Sequence, residues 1–212
     1  MTVTRMSISN KQGRSPNKRQ YRMRRRAEQV DGTRQQITEA AVRLHTSAGP
    51  AHTTISSVAA EAGVTRLTVY RHFPDLDALF MACMGHWSAQ NPTPDTNAWR
   101  AIEPLEARAT FAFGQLYAWF EARHAELFPI YRDETAMPDS ARQALRLQFD
   151  DIAAAISSPE GSSSGARDDR TLVAVSRHLV DYWTWHSLVI ERGLEVPAAT
   201  EAAVSMLLGV DR

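Results

Sequence analysis

Residues 53–73 read TTISSVAAEAGVTRLTVYRHF, and the fold of the whole chain turns on how this stretch is built. Thr54 is placed to cap a helix in which Ile55, Val58 and Ala59 face inward, because a threonine hydroxyl accepts an otherwise orphaned backbone N–H. Gly63 ends that helix, since glycine tolerates the left-handed conformation found just past a helix C-terminus. Thr65 then caps another, and two short helices broken at Gly63-Val64 make a helix-turn-helix pattern. Val64, Val69 and Phe73 are its natural inward residues, leaving Thr65, Arg66, Leu67, Thr68, Tyr70 and His72 toward solvent or a partner. A capped, solvated turn with Tyr70 and Phe73 both in the core would show the same periodicity.

If the pattern binds DNA, its second helix presents its N-terminal residues to base edges in the major groove. Arg66 is suited to two hydrogen bonds with a guanine and Leu67 to a thymine methyl. Thr65, Thr68, Tyr70 and His72 carry hydroxyls or a ring N–H that fit phosphate oxygens. Thr54, at a helix start, adds oriented backbone amides for a further phosphate.

Upstream, Ile37, Ala40, Ala41 and Leu44 recur at helical spacing until Gly49-Pro50 stops the run. Downstream, Pro74-Asp75 punctuates, and Leu76, Leu79, Phe80 and Cys83 supply the next apolar stripe. NPTPDTN at 91–97 reads as a linker, and Glu103-Pro104 as the start of a long helix to about Arg123. Helical stretches follow near 125–133 and 139–156, then a low-complexity mobile loop, SSPEGSSSG, at 157–165. Asp168-Asp169 can start a long helix to about Arg192, closed by Gly193, and Pro197 sits near the start of a last one reaching Leu208. No strand-like alternation of any length occurs, so the expected chain is all-α with about nine helices.

Composition narrows the function classes. The 212 residues are 43% hydrophobic, enough for a sizeable core. A single cysteine, Cys83, excludes a disulfide framework and a thiolate zinc site, and fits a reducing cytoplasm. No apolar run approaches the roughly 20 residues of a membrane span, and no membrane partner is expected. Net charge is zero, yet residues 1–30 hold nine Lys or Arg against one acid, a net +8, leaving 15 basic and 23 acidic residues in the rest. A basic, disordered arm over 1–30 on an acidic body points to a polyanion, with Arg22, Arg24, Arg25 and Arg26 as candidate contacts to a DNA backbone.

The segments AAVRLHTSAG, TTISSVAAEAGV and TRLTVYRHFPDLDALF, over residues 34–80, resemble the DNA-binding domain of the TetR family of transcriptional regulators. That resemblance implies a three-helix helix-turn-helix domain over 31–86 and a helical effector-binding and dimerisation domain over 87–212. It also implies a homodimer, a palindromic double-stranded operator and a small-molecule effector. Two departures stand out: Leu67 occupies a position where the family often has a small residue, and Leu76 one where it usually has a lysine.

Within the C-terminal half, Phe113, Tyr117, Phe120, Trp183 and His186 are the candidate effector-pocket residues, although aromatics at helical spacing also make ordinary core. Leu179, Trp183, Ile190, Val204 and Leu208 are candidates for a subunit interface or, equally, for the monomer's own core. His178 and His186 are eight residues apart with no carboxylate at ligand spacing, so no metal or other cofactor is expected. No His-Glu-x-x-His, nucleophile elbow or phosphate-cradling glycine loop occurs. The expected function is a repressor released from its operator by an effector. The alternatives are an effector-independent architectural DNA-binding protein and, further off, a helical enzyme.

Overall fold

The computed structural model describes residues 16–157 and 170–210. The arm up to residue 15, the loop expected over 157–165 (except Ser157) and the Asp168-Asp169 helix start lie outside the described residues. Among the described residues there is no strand, and no helix is long and apolar enough to cross a membrane.

Helix α1 runs from Pro16 to Ser47, so residues 16–30, expected as disordered, are helical. Residues 17–31 contain neither glycine nor proline and hold five Arg along with Lys, Gln, Met, Ala and Glu, all good helix formers. High charge predicted a polyanion partner for this segment, but charge by itself does not prevent a helix. The chain divides into two units between Gln36 and Ile37. In the first, every side chain from Gln20 to Gly32 is exposed, and Arg24 Nε donates to Glu28 Oε1 at 2.9 Å, one turn on.

From Ile37 onward the second unit begins with the rest of α1, then α2 (Ile55–Glu61), α3 (Arg66–His72) and α4 (Leu76–Gln90). Ile37, Ala41, Val58, Val69, Phe73 and Leu79 close a common core among them. Each of the larger side chains removed from water contributes about 1.5–3 kcal/mol. Leu76, placed by periodicity on the inner stripe of α4, is 58% exposed. It occupies the first turn, where Asp75 caps the helix through Ala78 N–H at 2.7 Å.

The remaining helices are α5 (Thr96–Arg100), α6 (Leu105–Arg132), α7 (Asp139–Ser157), α8 (Arg170–Leu179), α9 (Tyr182–His186) and α10 (Val196–Val210). Helix α6 continues unbroken where two segments were expected. Its proline, Pro129, sits in the last turn, and the helix closes on an Asp133 N–H donated to Pro129 O. Helix α6 packs on α10, α7 and α9 around Phe113, Leu116, Tyr117, Phe120, Ile156 and Trp185. The long helix expected to reach Arg192 is instead interrupted at Val180-Asp181. Asp181 adopts an extended conformation and its carboxylate accepts the Trp183 N–H at 2.9 Å, capping α9 afresh. A π-helical turn over Ser187–Glu191 follows, and Gly193, with φ 72, closes it.

Candidate nucleic-acid interface and the adjoining cavity

The turn between α2 and α3 is built by its hydroxyls. Thr54 Oγ1 accepts the Ser57 N–H at 3.1 Å while Ser57 Oγ accepts the Thr54 N–H at 2.9 Å, a reciprocal cap. Gly63 takes φ +65 with nothing within 4 Å of where a Cβ would stand. Thr65 Oγ1 then accepts the Thr68 N–H at 3.2 Å and shares a hydrogen bond of 2.9 Å with Thr68 Oγ1. Across this turn the Arg43 guanidinium meets Glu61 at 2.8 Å, tying α1 to the end of α2.

On this frame Val69 and Phe73 point into the core and Val64 packs against it. Thr65, Arg66, Leu67 and Tyr70 are exposed, and Thr68 and His72 half-buried. Tyr70 is 52% exposed, which removes it from the core. Leu67, 71% exposed, stands in the first turn of α3 with no packing role in the monomer. Arg66 is exposed beside it, and Arg71, which periodicity did not single out, is exposed in the last turn of the same helix. The start of α4 differs in charge. Asp75 and Asp77 occupy it, and the Asp75 carboxylate accepts the Ala78 N–H while Asp77 accepts from Ser140 Oγ.

Behind this surface a clamp joins the C-terminus of α6 to the turn that leads into α2. Arg132 Nη2 donates to Ala48 O at 2.8 Å, Arg132 Nε to Asp133 Oδ1 at 2.8 Å, and Ala51 N–H to Asp133 Oδ2 at 3.1 Å. The hydrogen bond from Arg132 holds the Asp133 carboxyl below the usual carboxylate range. Gly49 makes room for this clamp. A Cβ there would stand 2.2 Å from Asp133 Oδ2 and 2.6 Å from Arg132 Nη2. The clamp was not legible in the sequence because its parts are some 80 residues apart.

A cavity of about 260 Å³ draws its walls from α1, α4, α6 and α7, and includes Tyr131, the residue before Arg132. Of the five aromatic candidates, Phe120 alone lines it. Phe113 and Tyr117 are fully buried in the core, where Tyr117 donates to Leu179 O at 2.8 Å and burial pushes its phenol up. Trp183, 40% exposed, meets Phe128 and His186 edge-on, His186 stacks on Phe128, and neither lines the cavity. His45 and Phe80 form one wall with ring centroids 4.7 Å apart. Burial lowers His45 to about 4 and raises the Cys83 thiol to about 12, so both are neutral near pH 7.

Residues 37–83 match the family model described as bacterial regulatory proteins, tetR family. The fold resembles the crystal structure of a tetR-family transcriptional regulator from Streptomyces coelicolor, with a TM-score of 0.58 at 20% identity, covering 85% of this chain and 82% of that one. No curated protein sequence gives a significant match.

Proposed function

The chain belongs to the TetR family by its helix-turn-helix domain, a family of DNA-binding transcriptional regulators, and from that premise we propose that it is a dimeric repressor of a palindromic operator, released by a small-molecule effector. The observation that carries the DNA-reading part is the outward face of α3, where Arg66 and the 71%-exposed Leu67 stand side by side in the first turn. Arg66 reads a guanine and Leu67 a thymine methyl. Thr65, Thr68, Tyr70 and His72 contact phosphates, and Thr54 does so at the start of α2. Thr65 and Thr68 bond each other, so together they offer one hydroxyl proton rather than two.

In the N-terminal unit, Arg22, Arg25 and Arg26 fall on one helical face, at i, i+3 and i+4, and Arg24 lies beside them paired with Glu28. As a helix, this arm offers phosphates a row of cations already spaced. Dimerisation is supported by apolar side chains left exposed near the C-terminus: Val173, Trp183, Ile190, Met206 and Val210. Leu179 and Val204, also candidates for the interface, belong to the monomer's core.

Effector control is supported by the cavity, because a filled core would have suited an architectural protein instead. A ligand between α1, α4 and α6 would act on the Arg132–Asp133 clamp and so on the spacing of two recognition helices. Such couplings amount to ~1–3 kcal/mol. Selection of bound duplexes from a random pool tests the reading. Enrichment of an inverted repeat supports it, and recovery of unrelated sequences refutes it.

A further inference from the structure

Resting on the effector-responsive reading above, we propose that the cavity binds a neutral two-ring molecule bearing a hydroxyl or carbonyl group, and that it discriminates against ions of the same shape. Among the described residues the walls carry no Lys, Arg, Asp or Glu. An ion entering would lose its hydration with no countercharge to meet it, which costs far more than burying a hydrogen-bonded polar group.

Size follows from volume. A cavity of about 150 Å³ takes one benzene ring, so about 260 Å³ suits two fused rings. The walls suit rings as well. Phe80, Trp87, Trp119, Phe120, Tyr131 and Phe149 surround the space, and aromatic pairs in offset or edge contact gain about 0.5–1.5 kcal/mol beyond area burial.

Polar groups are divided by depth. Ser88 and Gln148 are exposed at the rim. Asn91, also on the wall, is occupied, accepting from Arg123 Nε at 3.1 Å and donating to Trp87 O at 3.0 Å. His45, 8% exposed, is a buried polar group of the wall that also borders a second, smaller pocket, and makes no hydrogen bond within the described residues. Burial keeps it neutral, so its imidazole presents one N–H and one lone pair. A ligand hydroxyl can meet either, and a carbonyl the N–H. Because His45 belongs to α1 and Phe80 to α4, the ligand touches two helices of the DNA-binding domain directly.

The test uses the full-length chain and three probes sharing one skeleton: naphthalene methanol, naphthoate and naphthylmethylammonium. Titration calorimetry without DNA gives affinities, and quenching of tryptophan emission reports occupancy beside Trp87 and Trp119. The alcohol should bind once per chain and at least about tenfold more tightly than either ion. His45→Phe should weaken the alcohol several-fold, about the value of one hydrogen bond, while leaving unsubstituted naphthalene unchanged. Met84→Trp, which fills the wall from a half-buried position, should abolish binding in a chain whose helicity is intact. An ion that binds as tightly as the alcohol, or an alcohol that does not bind, overturns the proposal. Operator release is scored separately. Binding of the alcohol without release keeps the ligand class and refutes the effector reading, whereas release by an ion alone refutes the ligand class and keeps the effector reading.

Discussion

Replacing Gly49 by alanine tests the clamp between α6 and the DNA-binding domain with a control already present in the chain. Gly49 sits at φ 98, ψ 160, a region essentially restricted to glycine and costing any other residue about 1–3 kcal/mol. The added methyl would also stand 2.2 Å from Asp133 Oδ2 and 2.6 Å from Arg132 Nη2. Those groups have to move, and the hydrogen bond from Ala51 N–H to the Asp133 carboxylate breaks as they do, at a further cost of about 1–2 kcal/mol. The expected destabilisation is therefore about 2–5 kcal/mol, a large share of the ~5–15 kcal/mol typical of a folded chain. For a chain of this length it lowers Tm by about 4–20 °C. Gly63→Ala is the control: at φ +65 with nothing within 4 Å, it carries only the left-handed penalty of about 1–2 kcal/mol. Scanning calorimetry on both variants, with urea titrations at fixed protein concentration, gives the comparison. If Gly49→Ala costs no more than Gly63→Ala, the Arg132–Asp133 pair yields freely and is no mechanical link.

Acid should destabilise the fold before its carboxylates titrate. His45 falls to about 4 on folding from an ordinary 6.5, so the unfolded chain binds the extra proton, and stability is untouched above pH 7 but drops as pH falls from 6.5 toward 4. The full penalty is on the order of 3 kcal/mol, and urea titrations across that window should show His45→Phe losing most of this slope. An unchanged slope refutes the burial. His124, lowered by burial and by the neighbouring His186, shifts in the same direction and remains in the variant. Alanine at Arg22, Arg24, Arg25 and Arg26 keeps the helix, yet should weaken operator binding and reduce the log–log salt slope by about 0.9 for each phosphate no longer neutralised; an unaltered slope would make the arm passive. Tyr70→Phe should weaken binding alike on specific and random duplexes, and an unchanged affinity would place its hydroxyl away from DNA.

What was legible in the sequence was local. The turn around Gly63 could be read because Thr54, Thr65, Val69 and Phe73 each act within one or two helical turns, through caps and periodicity that neighbouring residues determine. The break at Asp181 was also local but hidden, since an aspartate inside a helical run looks like surface until its carboxylate is seen capping Trp183. Helicity over residues 16–30 was obscured by charge, which speaks to partners more than to backbone. The cavity could not be read in advance. His45, Phe80, Trp119 and Phe149 come from four helices, whereas the aromatic run on α6, conspicuous in the sequence, is mostly core, with Phe113 and Tyr117 fully buried.

Arg66→Ala tests most directly whether α3 reads bases. Affinities of the wild type and the variant should be measured on the selected operator, on operators altered at each base pair, and on random duplex, all at one salt concentration. If Arg66 reads a base, the variant loses about 1–3 kcal/mol on the operator, relaxes preference at one base pair per half-site, and changes little on random DNA. An equal loss on operator and random duplex, with preference intact at every position, would contradict it.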